Sequence, residues 1–454
     1  MEQFDRKPEE EISSLLHRDD VADNVEKILS GLEPAELLHT IFALNPDDQR
    51  SLLALLPPPR AASLVEELPD AHVADLMEEM AVTDSAPIVE ELASDHRVDV
   101  LKQLDADDAE AIIEQLDEED AAEVRKLISY APDLAGGLMM TEFAAYPMTK
   151  TVREVVLDLT GEDRDYSLLT VHYIYVVIRQ DTLKGVIRVR DLVFADPDAK
   201  IGAIAVPALT VAPDTTLEQL EEFFDAHDIA AVPVVNARQT LLGIVRRRAV
   251  LEALTERAEA DNLKAAGIIG GDELRSMPVL IRSRRRLAWL SINIGLNVIA
   301  ASVIAAYEDT LTAVIALAVF LPIVSDMSGC SGNQAVAVSM RELTLGAALP
   351  RDVLRVLRKE AVVGLLNGLA LGVLLGLAAW AWKGNPVLGL VVGGALAANT
   401  IIAVSIGGTV PLLLRTFHFD PAVASGPLLT TVTDMCGFFL LLSLASLVLP
   451  SLAS

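Results

Sequence analysis

Apolar residues recur at helical spacing through residues 1 to about 130, in short stretches that restart after a turn. The phrases LNPDDQRSLLALLP, LPDAHVADLMEEM, LDADDAEAIIEQL and LDEEDAAEVRKLI share one form. A proline or acid starts a helix (Pro46-Asp47-Asp48, Pro69-Asp70, Asp105, Asp117), and an apolar face follows. Such a unit, repeated about every dozen residues, predicts a superhelical stack of short helices. From about 132 to 255 the period changes. The β-branched runs IYVVI and AVPVV are each followed by a polar turn and then by Gly-Val-Ile or Gly-Ile-Val. Tyr175-Val176-Val177 with Gly185-Val186-Ile187 matches Pro233-Val234-Val235 with Gly243-Ile244-Val245 at an offset of 58. Upstream, Thr151-Val152-Arg153-Glu154 matches Thr216-Leu217-Glu218-Gln219, with a short insertion in the first copy. This is a tandem repeat of helix, strand, turn, strand, helix. From Leu287 the texture becomes apolar, with five spans at about 287–307, 311–340, 361–382, 387–414 and 427–449. Each has the ~18 apolar residues that a bilayer core of ~30 Å requires. The second and fourth are interrupted by Pro322, Gly329 and Gly332 and by Gly407, Gly408 and Pro411. The run Pro322 to Gln334 therefore reads as a broken helix whose carbonyls turn toward a cavity, with close helix packing as the other use of its small residues.

The expected architecture is multidomain. An all-α amino-terminal domain covers 1–131, an α+β tandem pair covers 132–200 and 201–256, a connecting helix covers 257–285, and an all-α five-span membrane domain covers 286–454.

Charge divides the chain at the same place. The net charge is −29, yet from Arg286 onward 8 basic and 8 acidic side chains cancel, leaving 28 basic and 57 acidic residues before it. An acidic surface of this density repels nucleic acid and attracts cations. The opening MEQFDRKPEEE lacks the apolar stretch of a signal peptide. Arg282, Arg284, Arg285 and Arg286 precede the first span, Arg341, Arg351, Arg355, Arg358 and Lys359 follow the second, and Arg415 lies between the fourth and fifth. The excess of positive loop residues predicts a cytoplasmic amino terminus and an extracytoplasmic carboxy terminus. Cys330 and Cys436 both lie in apolar segments, and the seven histidines show no ligand spacing, so no disulfide framework or zinc site is expected.

Two acids lie deep in apolar spans, Asp326 in the second and Asp434 in the fifth. An ionisable group at that depth is costly enough to imply a function. Asp434 is roughly 15 Å from the cytoplasmic end of its span by helical rise, and no Lys or Arg lies level with either acid, so a mobile cation is the natural partner. Thr430 and Gly437, at i−4 and i+3 of Asp434, with Thr431 and Thr433 beside it, make a small polar face. Magnesium sheds water reluctantly and prefers oxygen ligands, so a pore that holds it through its waters suits this face. Helix stapling by hydrogen bonds is the structural use of the same aspartate.

The tandem repeat resembles a pair of CBS domains, which often bind adenine nucleotides and often dimerise. The whole order of segments resembles the MgtE family of magnesium channels over nearly the full chain. The matching phrases are Ala135-Gly136-Gly137-Leu138-Met139, Arg190-Asp191-Leu192 through Ala195-Asp196-Pro197, Gly332-Asn333-Gln334, Asp420-Pro421-Ala422 and Thr433-Asp434-Met435-Cys436-Gly437. The resemblance implies a homodimer in the bacterial inner membrane with its pore on the two-fold axis. It implies Asp434 as the selectivity residue and Mg²⁺ as the ion; Asp326, Thr430 and Thr433, read from the spans themselves, are the further pore-lining candidates, and the sequence does not choose between Mg²⁺ and Mn²⁺, Co²⁺ or Ni²⁺. The resemblance also implies cytoplasmic domains that bind Mg²⁺ between acidic faces and close the pore. Asp191, Asp196, Glu252, Glu256, Glu259 and Asp261 are the candidates for that sensing. Cys330 stands where relatives commonly carry Asn, and Gly426 stands where they carry Asn before the proline. Arg246-Arg247-Arg248-Ala249, Thr255 and Arg257 stand where some relatives carry acids, which implies weakened gating by magnesium.

No Walker motif or phosphorylatable Asp-Lys-Thr-Gly is present, so no enzymatic activity is expected. An inside-negative potential of 100 mV contributes about 4.6 kcal/mol per divalent ion, from about 2.3 per charge, and needs no pump. Two other readings stay open: a proton-coupled divalent cation exchanger, and a membrane-anchored nucleotide sensor that transports nothing.

Overall fold

The computed structural model describes residues 8–16, 22–161, 172–268, 273, 275, 277, 279–344, 346–417, 419 and 421–452. They form two compact units, Met1–Arg257 with Leu274–Met277, and Ala258–Glu273 with Pro278–Ser454.

The first unit opens with the expected stack of short helices: α1 (Pro8–Leu16), α2 (Ala22–Leu29), α3 (Pro34–Ala43), α4 (Pro46–Leu55), α5 (Pro58–Val65), α6 (Asp70–Glu78), α7 (Val82–Glu91), α8 (Ser94–Gln103), α9 (Ala106–Ile113) and α10 (Glu118–Ile128). The repeated phrases are the helix starts. Proline occupies the first turn of α3, α4 and α5, where a missing N–H costs nothing. The Asn45 side chain accepts from the Asp48 N–H, and Asp105 and Asp117 stand at the N-caps of α9 and α10. One continuous core runs through the stack, including Leu52, Leu64, Met77, Ile88, Leu101 and Ile112, each nearly inaccessible to solvent.

The tandem repeat follows the short α11 (Ala135–Leu138). In the first copy β1 (Ala145–Pro147) pairs in parallel with β2 (Tyr173–Ile178), which pairs antiparallel with β3 (Thr182–Arg188). In the second copy β4 (Ala231–Val235) pairs antiparallel with β5 (Leu241–Arg246). The equivalence extends to irregularities: the ladder shifts register at Val176/Val177 and again at Val234/Val235. The matched Thr phrases are matched helix starts. Thr151 with Glu154 and Thr216 with Gln219 each form a reciprocal capping box on α12 (Val152–Leu159) and α15 (Leu217–Ala226). The insertion in the first copy falls on 162–171, outside the described residues. Two short helices, α13 (Val189–Phe194) and α14 (Ile201–Ile204), follow β3.

The connecting helix departs from expectation. α16 (Arg247–Ala265) runs through the anticipated boundary at 256/257 and stops well before 285. Gly267 supplies the stop: its φ is +85° and its N–H bonds the Lys264 carbonyl at 2.8 Å, a left-handed ending that favours glycine. Residues 269–272, 274, 276 and 278 of that expected helix lie outside the described residues. The next helix, α17, starts at Val279 and continues to Ala306.

Beyond α17 and the short α18 (Glu308–Ala313) come four long helices: α19 (Leu317–Thr344), α20 (Val353–Lys383), α21 (Pro386–Thr416) and α22 (Pro421–Leu447). The windows Val279–Ala306, Pro350–Lys383, Pro386–Thr416 and Leu428–Leu447 are long and apolar enough to cross a membrane. α19 is as long as α17 and carries Ser325, Asp326, Ser328, Ser331, Asn333 and Gln334 through its middle, which makes it the most polar of the long helices after α17. It is not broken. Pro322 is its sixth residue and the helix runs on without interruption, as α21 does past Pro411. The glycines serve packing instead. A Cβ on Gly332 would lie 3.0 Å from the Ala403 carbonyl, and one on Gly372 would lie 2.6 Å from the Gly393 carbonyl. Such contacts bring helix backbones together in the small-residue manner of membrane bundles. The α20–α21 turn is capped at both ends, by Gly384 at φ +70° and by the Asn385 side chain, which accepts from the Val387 and Leu388 N–H groups.

Candidate ion site between the long helices

Helical phase decides which residues of α19 and α22 meet. On α19, Pro322, Ser325, Asp326, Gly329, Cys330 and Asn333 are three or four residues apart and share one face. On α22, Thr430, Asp434 and Phe438 share another. Together with Ile304 of α17 they line a cavity of about 600 Å³. Both deep aspartates therefore reach one space, and no Lys, Arg or His is among its lining residues. Pro322 has no N–H to offer the Ala318 carbonyl four residues back, and Ala318 also lines the cavity. The walls thus offer two carboxylates, two hydroxyls, an amide and a thiol. Two uncompensated carboxylates among apolar helices favour a cation that brings its own positive charge.

Asp434 is held from behind. Its carboxylate accepts from the Ser325 hydroxyl. The Ser328 hydroxyl donates to the Ser325 carbonyl at 2.9 Å and accepts from the Asn399 amide. The same amide donates to the Thr433 carbonyl at 3.0 Å. Sequence reasoning brought forward Asp434, Asp326 and Thr430, and all three line the cavity. Thr433 does not. It is fully buried and its hydroxyl donates to the Thr430 carbonyl at 3.0 Å, because one residue of helix turns it about 100° away from Asp434. Ser325, Asn333 and Asn399 were missed. Their signal was faint: neutral polar residues inside long spans.

Most of the candidates for magnesium sensing sit beside a partner of their own. Asp191 lies 3.8 Å from Arg190, and Asp196 accepts from the Asp198 N–H at 3.0 Å. Glu252 accepts from Arg248 at 2.6 Å, and Asp261 lies 3.8 Å from Lys264. Glu256 and Glu259 sit on exposed positions of α16. Arg257, one of the substituted positions, donates to Glu218 at 2.8 Å. Among the described residues, the three acids gathered closely enough to share an ion are Glu78, Asp105 and Asp108, with oxygens within 4.8 Å of one another. They belong to the repeated acidic helix starts and were not singled out. Glu78 already accepts from the Asp105 N–H at 3.0 Å.

Comparison with known proteins agrees with this layout. Residues 321–444 match the family model of the MgtE divalent cation transporter, residues 32–133 the MgtE intracellular N domain, and residues 201–256 the CBS domain. The magnesium transporter MgtE of Thermus thermophilus is 37% identical over 331 residues, which is 72% of this chain and 73% of that protein. The magnesium transporter MgtE of Bacillus subtilis is 30% identical over 331 residues, 72% of each chain. Among solved structures, the soluble part of a magnesium transporter is 26% identical, covers 55% of this chain and 98% of its own, and has a TM-score of 0.49.

Proposed function

The chain belongs to the MgtE family of magnesium transporters, and from that premise we propose that Mg²⁺ crosses the membrane through the cavity lined by α19 and α22, with Asp434 as the selecting carboxylate. The transported ion is magnesium, and the helical and CBS domains that precede the membrane part are regulatory. The observation that carries the site is the convergence of Asp326 and Asp434 on one cavity without a lining cation. Magnesium keeps most of its water shell at little cost, so carboxylates, Thr430 and Asn333 act through that shell rather than as a closed cage.

The working unit in this reading is a homodimer in the bacterial inner membrane, with one Asp434 from each subunit facing the axial ion. α17 supports it, since Ala300 is its one buried residue in the single chain and the remaining apolar surface needs lipid or a second copy. The basic residues ahead of α17 and after α19 favour a cytoplasmic amino-terminal part in this reading. Mn²⁺, Co²⁺ and Ni²⁺ share magnesium's charge and octahedral preference and are competing ions. An adenine nucleotide is the second regulatory ligand proposed for the CBS pair. Cytosolic magnesium is a weak regulator in this chain, because Glu252 is already neutralised by Arg248 and Asp261 faces Lys264.

Mg²⁺ flux through Asp434→Asn tests the site. The substitution keeps shape and one acceptor while removing a charge from each subunit, and flux is expected to fall strongly in a protein that reaches the membrane normally. Wild-type flux and selectivity would reject Asp434. Measuring flux at clamped voltage and several fixed pH values separates a channel from proton-coupled exchange.

A further inference from the structure

Asn399 lies near the middle of α21, fully buried, and does not line the cavity. Its neighbours Ala397, Ala398, Ile401 and Ile402 are apolar, and Thr400 turns its hydroxyl back to the Leu396 carbonyl at 2.8 Å. An amide this deep is costly unless it is used. Asn399 uses its nitrogen twice, toward the Ser328 hydroxyl of α19 and toward the Thr433 carbonyl of α22, while its own Oδ1 finds no partner among the described residues. The side chain is therefore kept for what it donates.

The carbonyl it grips belongs to the peptide bond between Thr433 and Asp434. In a helix the carbonyl of residue 433 is flanked by the side chain of residue 437 four positions on. Here that residue is Gly437, and a Cβ on it would stand 2.7 Å from the Asn399 Nδ2. The glycine is what lets an amide from another helix reach a carbonyl already engaged in its own helix. The contacts then close into a ring across three helices: Asn399 to Thr433, along the chain to Asp434, from its carboxylate to Ser325, from the Ser325 carbonyl to Ser328, and from Ser328 back to Asn399.

We propose that Asn399 is the positioning residue for the ion-selecting carboxylate: through the Thr433 carbonyl and Ser328 it fixes the height and rotation of Asp434 against α19. This rests on the reading that Asp434 lies in the ion path. A carboxylate that acts on a hydrated ion must hold its distance from the axis, and a helix free to rotate by a few degrees blurs that distance. The ring prevents the rotation by fixing the backbone carbonyl of Thr433 and the side chain of the next residue, Asp434.

The experiment uses the full-length protein in proteoliposomes, with Mg²⁺ and Ca²⁺ uptake measured for wild type, Asn399→Leu, Gly437→Ala and Asp434→Asn. Leucine fills the amide's space without donating, and the added methyl of alanine displaces the amide without touching the cavity lining. Loss of one or two net hydrogen bonds predicts that each raises the half-saturating Mg²⁺ concentration roughly 3- to 10-fold. Each should also narrow the preference for Mg²⁺ over Ca²⁺, with Asp434 intact. A merely structural role would lower the amount of protein recovered and leave both ratios unchanged. Unchanged half-saturation and selectivity, in whichever of the two variants is recovered, overturns the inference while Asp434→Asn remains defective. If Asp434→Asn transports normally, the underlying reading of the site fails instead.

Discussion

Replacing Arg246 with alanine should loosen the helical stack from the second CBS copy, and more so at alkaline pH. Arg246 ends β5 and donates to Asp95 at 2.6 Å, while the Asp95 side chain, at the start of α8, is only 8% exposed. Asp70 and Asp99 lie close by. Burial, then the charges of Asp70 and Asp95, push the Asp99 carboxyl up to about 7 against the pull of Lys102 and His96. Burial raises Asp70 as well, with His96 opposing and Asp95 adding to the shift. Removing one partner of a buried pair costs about 3–5 kcal/mol. Arg246 is about a third exposed, and screening there reduces the expected loss to roughly 2 kcal/mol. The pH dependence has a definite sign. A carboxyl whose folded value exceeds its unfolded value near 3.8 contributes stability that is full below that value and fades as pH rises through about 7. At pH 6 Asp99 is largely protonated and adds little repulsion to Asp95. At pH 8 it is ionised, and Arg246 is the cation bonded to Asp95. Hydrogen exchange of the full-length protein reads both effects. Amides of α8 and β5 should exchange about 30-fold faster in the variant at pH 8, as 2 kcal/mol requires, and by a smaller factor at pH 6 after correction for intrinsic rates. Asp95→Asn in the same background should recover most of the protection. Equal protection in variant and wild type, or a larger loss at pH 6, would refute the reasoning.

Three further outcomes follow from the same structure. Protease protection of 249–282, titrated with Mg²⁺, should change only at millimolar levels, because Glu252 and Asp261 already have basic partners; a sharp transition at submillimolar Mg²⁺ would show that those pairs yield readily to the ion. Thr216→Ala removes one half of a capping box and should cost about 1 kcal/mol in unfolding of the second CBS copy, measured by exchange of α15 amides, with Thr151→Ala acting equivalently on α12. Gly372→Val places a branched side chain where the Gly393 carbonyl approaches to 2.6 Å of a Cβ, and should abolish recovery of folded protein from membranes, whereas Gly394→Ala, with open space around it, should not.

How much of this was legible in sequence depended on whether the signal was local. The helix starts were, because a cap reads only three or four residues, as Asn45 to Asp48 and Thr216 to Gln219 show. The tandem repeat was, because two copies in register check each other down to the same ladder irregularity. The aspartates were, because charge within an apolar span is conspicuous wherever its partner lies. The failures have the opposite character. Pro322 and the following glycines suggested a break, yet proline in the second turn of α19 forgoes one hydrogen bond and the glycines answer to backbones that approach from α21.

Thr433 and Asn399 show where such reading stops. Adjacency in sequence made Thr433 a candidate, although a helix turns neighbouring side chains by about 100° and gives the cavity to i−4 and i+4 instead. Asn399 carried no charge to mark it, and its partners are 71 residues away on one side and 34 on the other. A neutral amide in a long span acquires meaning only when the helix it reaches is known. Gly437 was visible as part of the small face around Asp434, but its use is not to widen the ion's path. It leaves a carbonyl uncovered for an amide from another helix. The residues that touch the ion's space could be read from their chemistry, whereas those that hold them in place had to be read from the packing.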